Sequence, residues 1–464
     1  MDRAGSACSY VSVDRDHSGA AHGSKDEGEM AKFLISTMPE TGHIYPALPI
    51  ATALAARGHQ VRWHTGPDFA DKVSQTGASF VPMKHAPRFQ DLTPRPKQSR
   101  SWEAVVGALR RLFVEPAPGQ LRDYTEILSD FDADVVINES TAGLGPRLLH
   151  ELGGPPWARL GVSPLPSLPT SAIPPLVSPA VFADPPEVLP YSDDPGVQDR
   201  YRRMNWEAAN VHMSQLTEAL DELRARFGLG PQPTGETGFA ATISPFLQLQ
   251  TGTLAFDYPR PELPAQVHHV GPLLPPGPDV FELPPWWQDV VSADRPVVHV
   301  TQGTVATDPT SLLRPTLDAL ADDDVLVVAT AANPADLGPL PANVRLAKSI
   351  PYALLLPYVD VMVTNGGIGG ILAALTHGLP LIGGGRTEDK PAVCARIAHT
   401  GVGIDLKTDR PTVGKIRDAV RAVLSNPSYQ RAAVRVQTDF ARHDPPVEAA
   451  VLLERLAETK APVV

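Results

Sequence analysis

Short apolar runs alternate with helical spacers twice along this chain, and that alternation limits the possible folds more than any other feature. KFLIST (32–37) and ADVVINE (133–139), with strands at QVRWHT (60–65) between them and around Ala158–Val162 after them, make the first series. A proline-rich bridge, Gly271–Trp287, interrupts it; RPVVHVTQGT, DDVLVVAT, NVRLAK, DVMVTNGG and LPLIGGG then make the second. Strands that are apolar along their whole length, with helices between them, indicate parallel sheets covered on both faces. The expectation is an α/β chain of two doubly wound domains, with ligands at the carboxyl ends of the strands, in a cleft between the two. Residues 1–29 read as a disordered extension with Met30 as an alternative start, 30–272 as the first domain and 273–293 as a linker. Residues 294–440 read as the second domain. The helical spacing of PVEAAVLLERLAE in 441–464 reads as a closing helix packing back on the first.

Composition removes several function classes. A chain of 464 residues suffices for two or three cored domains. A net charge of −12 argues against a nucleic-acid surface, which needs clustered Lys and Arg. No run approaches the ~20 apolar residues of a membrane span, and the polar amino terminus lacks the apolar core of a signal peptide. Only Cys8 and Cys394 are available, so a disulfide framework is excluded and a reducing, cytoplasmic setting is expected. Cys394 reads as a small core residue. No HxxxH or Cys/His cluster suggests a metal, and nothing in the sequence sets an oligomeric state.

The stretch VTNGGIGGILAALTHGLP (363–380) is the sharpest local signal. Gly366, Gly367, Gly369 and Gly370 fall where a helix should start, although glycine is about 1 kcal/mol worse than alanine inside one. One glycine would suffice for a tight turn. Several bare positions at a helix amino end, where free amides and the dipole favour an anion, suit a phosphate touching backbone. The spacing is neither GxGxxG nor a P-loop. Gly303–Thr304 ends the domain's first strand, with a hydroxyl able to meet a phosphate oxygen; a β-turn explains Gly303 equally well. In GGGRTEDKP, Asp389 and Lys390 follow another strand. Asp389 either caps the next helix or accepts paired hydrogen bonds from sugar hydroxyls.

MPETGHIYPALP (38–49) opens the first helix of the amino-terminal domain, with His43 just before it and Pro46 and Pro49 in turns that tolerate proline. Such a histidine is either a buried helix-start residue bonded to backbone or a base whose neutral ring takes a proton near pH 7. The positive helix end disfavours imidazolium and should keep the ring neutral, with a carboxylate partner opposing that shift. His59, His64 and His377 read as loop or face residues without a role.

The segment Pro351–Leu406, with GHIYP far upstream, resembles the signature of family 1 glycosyltransferases, most closely the bacterial macrolide and natural-product branch. The similarity runs from about Lys32 to the C-terminal helix. It implies the GT-B fold of two facing Rossmann-like domains. It also implies a soluble, inverting, metal-independent enzyme that needs no cofactor. A nucleotide sugar is the co-substrate, UDP-glucose first and a dTDP-sugar second, and the acceptor a hydroxyl of a small hydrophobic molecule such as a polyketide, macrolide, ansamycin or flavonoid. GHIYP matches the family's GHxxP, which makes His43 the base. DVVINE puts Glu139 where the family has its partner Asp; otherwise Glu139 is a helix-start acid beside Ser140. The diphosphate would meet Gly303, Thr304 and Asn365–Gly370, and the sugar Asp389 and Lys390. Ile350 lies next to Ser349, which replaces the base-stacking Trp.

Further departures are Asn365 for a His, Gly370 for a Ser or Thr, Ala373 for a ribose-binding Glu, and Lys390 for a Gln. An amide at 365 can donate a hydrogen bond but brings no positive charge. Acceptor contacts would come from variable loops, with Ile44, Met83, Phe89, Phe113 and Ser140 as candidates. Two other readings keep the fold: an epimerase of free nucleotide sugars, and a non-catalytic auxiliary partner. Asn365 and Ala373 lean toward the second; His43, Gly366, Gly367 and Asp389 lean away from it.

Overall fold

The structure is a computed structural model that describes residues 30–88, 101–178, 188–233, 235–278, 280–303 and 308–464. The extension before Met30, Phe89 and Thr304 lie outside the described residues. Contacts divide the described chain into two compact units. One comprises 30–275, 387–400 and 435–464; the other comprises 276–386 and 401–434.

The first unit holds a seven-stranded sheet. Its strands are β1 (Lys32–Ser36), β2 (Gln60–Thr65), β3 (Ser79–Pro82), β4 (Val135–Glu139), β5 (Trp157–Gly161), β6 (Leu247–Gln250) and β7 (Val267–His269), in the spatial order 3-2-1-4-5-6-7. Every neighbouring pair is parallel. The helix Ala47–Ala56 between β1 and β2 ends as the sequence indicates: Gly58 takes φ +89°, a left-handed position that glycine occupies without penalty, and β2 follows at once.

One face of this sheet is covered by the helices Ala47–Ala56 and Pro445–Thr459. Ile50, Ala51 and Leu54 from the first, and Ala449, Ala450, Leu453 and Leu456 from the second, join Phe33, Ile35, Val135, Ile137 and Leu160 in one core. Each fully buried leucine there contributes about 1.5–3 kcal/mol relative to exposure. Glu454 of the closing helix also meets Arg57 Nε at 2.6 Å and His59 Nε2 at 2.7 Å.

The second unit repeats the plan with six parallel strands: β8 (Val297–Thr301), β9 (Leu326–Thr330), β10 (Val344–Ala347), β11 (Val361–Thr364), β12 (Leu381–Gly383) and β13 (Gly403–Asp405). Their order is 10-9-8-11-12-13. Its core is separate, with Leu313, Leu317 and Leu320 packing against Val298, Val327, Val363, Ile416 and Val420. In each sheet the order reverses once, between β1 and β4 and between β8 and β11. Chain leaving adjacent strands in opposite directions opens a crevice at their carboxyl ends, where open α/β sheets bind ligands.

Two histidines depart from the sequence reading. His64 is fully buried on β2, with Nδ1 3.0 Å from Ser36 Oγ and Nε2 3.0 Å from Asp123 Oδ2. His59 keeps 8% of its side-chain surface and is held by Ala31 N and Glu454. Neither is a loose surface residue: β2 is covered on both faces, so His64 must find its partners inside, while His59, in the loop before β2, is pinned by Ala31 and Glu454. Cys394 is buried, in keeping with a small core residue.

Candidate active site

In the first sheet, both strands of the reversal deliver a candidate site residue. The chain leaves β1 at Ser36, and Pro39 seats against Gly66, where an added Cβ would come within 2.5 Å of the proline ring. A short helical turn, Thr41–Ile44, follows, so His43 lies within a turn of its own rather than ahead of one. From β4, Glu139 meets it: His43 Nδ1 is 3.0 Å from Glu139 Oε2. Thr141 stands between them, with Oγ1 2.8 Å from His43 Nδ1 and 2.9 Å from Glu139 Oε2. The loop after β4 is held by Asn138, whose Nδ2 donates to Gly143 O at 2.9 Å, and Gly143 takes φ +96°.

An ionised carboxylate can only accept, so the Thr141 hydroxyl donates to Glu139 and the ring proton lies on Nδ1. Nε2 is left as the acceptor. Glu139 has no exposed surface, whereas the His43 side chain keeps 29% of its own. Burial alone would raise the Glu139 carboxyl; His43 and the amide and hydroxyl of Thr141 hold it below the usual range. Burial, the largest single influence, would depress His43, yet its net shift is upward, because the charge and hydrogen bond of Glu139 with the charges of Asp389 and Glu40 together outweigh it. That corrects the expectation of a ring kept neutral by a helix end. Three carboxylates act on this imidazole, and His43 sits in the last turn of its short helix rather than at an amino end.

Asp389 begins the helix Lys390–His399, which belongs to the same compact unit as His43. It caps nothing with its side chain. Burial raises its pKa, against Lys390 and a hydrogen bond from Ser163. Lys390 is buried and turned back on its own loop, its Nζ pairing with Glu388 and 3.3 Å from Thr387 Oγ1. Glu388 takes φ +58°, a strained conformation for a residue with a side chain.

In the second sheet, Gly303 follows β8 and Asn365 follows β11, again at the reversal. Asn365 is buried and its Nδ2 donates to Gln302 O, with Gly303 beside it at φ +75°. The four glycines after Asn365 separate by cause. Gly366 needs its φ of +90°. Gly370 is a packing glycine, since a Cβ there would meet Tyr352 Oη at 3.1 Å and Met362 Cε at 3.4 Å. Gly367 and Gly369 have no such reason: an added Cβ would find only Asn365 Oδ1 at 3.8 Å from Gly367, and nothing within 4 Å of Gly369. Gly367 heads the helix Ile368–Thr376 with no side-chain cap, so its first amides stay available. Ile350 is buried, and Ala373 is buried within the helix.

Of the acceptor candidates, Ile44 is wholly buried in the first core and Phe113 is packed with Val114, Ala117 and Leu144. Ser140 is buried, its hydroxyl donating to Glu139 Oε1 at 3.1 Å, and Met83 is half-buried. Thr141 was not singled out from the sequence. Its only signal is a second hydroxyl residue directly after Glu139–Ser140. Among the described residues, no group of three or more His, Cys, Asp or Glu side chains could hold a metal ion. No helix among them is long and apolar enough to cross a membrane.

Residues 314–456 match the family model described as the erythromycin biosynthesis protein CIII-like C-terminal domain. The 4'-demethylrebeccamycin synthase of Lentzea aerocolonigenes is 38% identical over 435 residues, which is 92% of this chain and 99% of that protein. UDP-glucosyltransferase A1 of Starmerella bombicola is 32% identical over 433 residues, 89% of each. The crystal structure of CalG4, the calicheamicin glycosyltransferase, aligns with a TM-score of 0.71 at 24% identity, covering 93% of this chain and all of that one, and carries the GT-B fold. Fold, extent and identity agree, and the chain belongs to the family 1 glycosyltransferases, in their natural-product branch.

Proposed function

We propose that this protein is an inverting O-glycosyltransferase that moves a hexose from a nucleotide sugar to a hydroxyl of a hydrophobic natural product, with His43 as general base. The observation that carries this reading is the His43–Thr141–Glu139 arrangement: Nδ1 is fastened 3.0 Å from a buried carboxylate, which directs Nε2 to accept. As the acceptor oxygen attacks the anomeric carbon, its proton passes to Nε2. The bond from that carbon to the phosphate oxygen breaks on the opposite face, and the nucleoside diphosphate leaves with the electron pair. Inversion follows from that single displacement. Glu139 stabilises the imidazolium formed on the way.

The leaving diphosphate would rest on the amides of Gly367–Gly369 and on Gly303, with Thr304 contributing its hydroxyl. Asn365, committed to Gln302 O, would act by shaping the corner rather than by charge. Asp389 would accept from the sugar hydroxyls; Lys390, paired with Glu388, would hold the turn that presents it. UDP-glucose is the first donor, supported by the name of the Starmerella relative. A dTDP-sugar is second, since Ala373 removes one reason to require a ribose 2′-hydroxyl. The aglycone class is supported by the rebeccamycin relative's name; the acceptor would lie on 30–272 and the donor on 294–440.

His43→Ala should leave nucleotide binding near wild type while removing about 10²–10⁴ of the turnover of UDP-glucose with a polyketide and flavonoid acceptor panel. Near-normal turnover in that variant would rule out the assigned role.

A further inference from the structure

Five side chains at one level of the first sheet form an unbroken polar row. Register pairs His64 with Ser36, Ser36 with Asn138, Asn138 with Arg159, and Arg159 with Gln248. Register partners face the same side of a sheet, and all five are buried. At one end the row is closed. Asp123 accepts from His64 Nε2 and from the amides of His85 and Ala86, and Tyr124 Oη donates to Ser36 Oγ at 2.8 Å.

The other end is different in kind. Arg159 Nη2 donates to Ser140 O at 3.0 Å, but Nη1 has no partner among the described residues, nor has Asn138 Oδ1 or Gln248 Oε1. Burial pulls this guanidinium down to about 10, which still leaves it charged at neutral pH. A buried cation so poorly served by hydrogen bonds costs several kcal/mol, and an apolar side chain would fill the slot more cheaply. Among the described residues, the carboxylate that opposes this cost is Glu139. The two are joined through a single residue: Arg159 holds the Ser140 carbonyl, and the Ser140 hydroxyl donates to Glu139 Oε1 at 3.1 Å.

We propose that Arg159 is a positioning residue for glycosyl transfer, acting through Ser140 and Glu139: it fixes the elbow after β4 and supplies the buried positive charge that balances Glu139 beneath His43. The proposal rests on the reading of His43 as the base. The charged groups facing His43 are Glu139 from β4, Asp389 from the start of its helix and Glu40 from the preceding turn. Glu139 is faced by His43 and Arg159, and Asp389 by Lys390 and Glu388. Among the described residues, Arg159 is a cation, besides His43, whose charge interacts with Glu139. Without it, the His43–Glu139 pair holds its proton more tightly, and more alkaline conditions are needed to free Nε2.

The test compares the wild type with Arg159→Met and Arg159→Lys by two readouts. One is the acid limb of the pH–rate profile; the other is direct NMR titration of the His43 imidazole, assigned as the resonance missing in His43→Ala. In Arg159→Met both should move to higher pH by roughly 0.5 unit or more, while Arg159→Lys, which keeps a charge, should restore most of the wild-type position. A folded Arg159→Met whose turnover falls but whose limb and imidazole titration stay in place would overturn the proposal, leaving Arg159 a structural brace. Should Arg159→Met not fold, Arg159→Gln against Arg159→Lys decides in the same way. Failure of the base reading shows separately, as a His43→Ala enzyme that keeps its turnover; the imidazole titration then still judges Arg159.

Discussion

At the scale of single residues, His43 and Glu139 ask for different conditions in stability and in catalysis. Glu139 is depressed in the folded state, so its contribution is present above the unfolded carboxylate value near 4.5 and lost as pH falls through the folded one. His43 is raised, so its contribution is complete below about 6.5 and lost as pH climbs through the folded value. The pair therefore stabilises the fold most between roughly pH 4.5 and 6.5, whereas transfer with His43 as the proposed base would need the ring unprotonated and gain as pH rises beyond that window. Glu139→Gln removes the charge and keeps the size. The imidazole should then titrate at lower pH, moving the acid limb down, opposite to the shift expected for Arg159→Met. Turnover should fall by roughly one to two orders of magnitude, part of what a general base supplies. An acid limb that stays put, followed by steady-state rates from pH 5 to 9, would separate Glu139 from the base. GHIYP and the acid closing DVVINE were legible because each is a short motif beside a strand end. Thr141 and Arg159 were not, since their roles depend on neighbours 98 residues away along the chain in the first case and a strand away in the second.

Among elements, the glycine corner after β11 carries its own prediction, because its glycines are there for different reasons. Gly370→Val pushes a branched side chain into Tyr352 and Met362 and should cost about 1–3 kcal/mol of stability, as overpacking does. Gly367→Val meets almost nothing within the chain and should cost about 1 kcal/mol or less, the scale of a poorer helix cap, yet abolish measurable UDP binding by calorimetric titration. Equal loss of binding in both variants, tracking stability, would make the corner architecture only. The strands varied in legibility for a physical reason. β1, β4 and most of the second unit's first five strands are apolar runs, and parallel strands buried on both faces favour that. LQLQ of β6 reads as half-exposed alternation, but Gln248 and Gln250 are buried. Gln250 Nε2 reaches Ser163 O at 2.7 Å, and Gln248 lies on the polar row with Arg159. A buried polar layer imitates a solvent face in sequence, and only the pairing across strands tells the two apart.

For the molecule as a whole, sequence order and packing order diverge at the carboxyl end. The helix Pro445–Thr459 follows the second sheet in the chain but contributes to the first core, where Leu453 and Leu456 have no exposed surface. The second core draws on a different set, with Leu317 equally buried among β8, β9 and β11 residues. Two cores with no residue in common should melt as two cooperative units, so unfolding is expected to depart from a two-state transition. Cutting Leu453 to alanine should remove 2–5 kcal/mol from one of them, the range for a buried leucine whose cavity closes only partly. Leu317→Ala should remove a similar amount from the other. Scanning calorimetry of both variants assigns the transitions: each substitution should lower one midpoint and leave the other near its wild-type place. UDP should raise the midpoint that Leu317→Ala lowers, because a ligand stabilises the unit that binds it. If both substitutions lower one shared transition by the same amount, the two sheets unfold as a single cooperative body, and the glycine corner's stability depends on the helix that closes the other core.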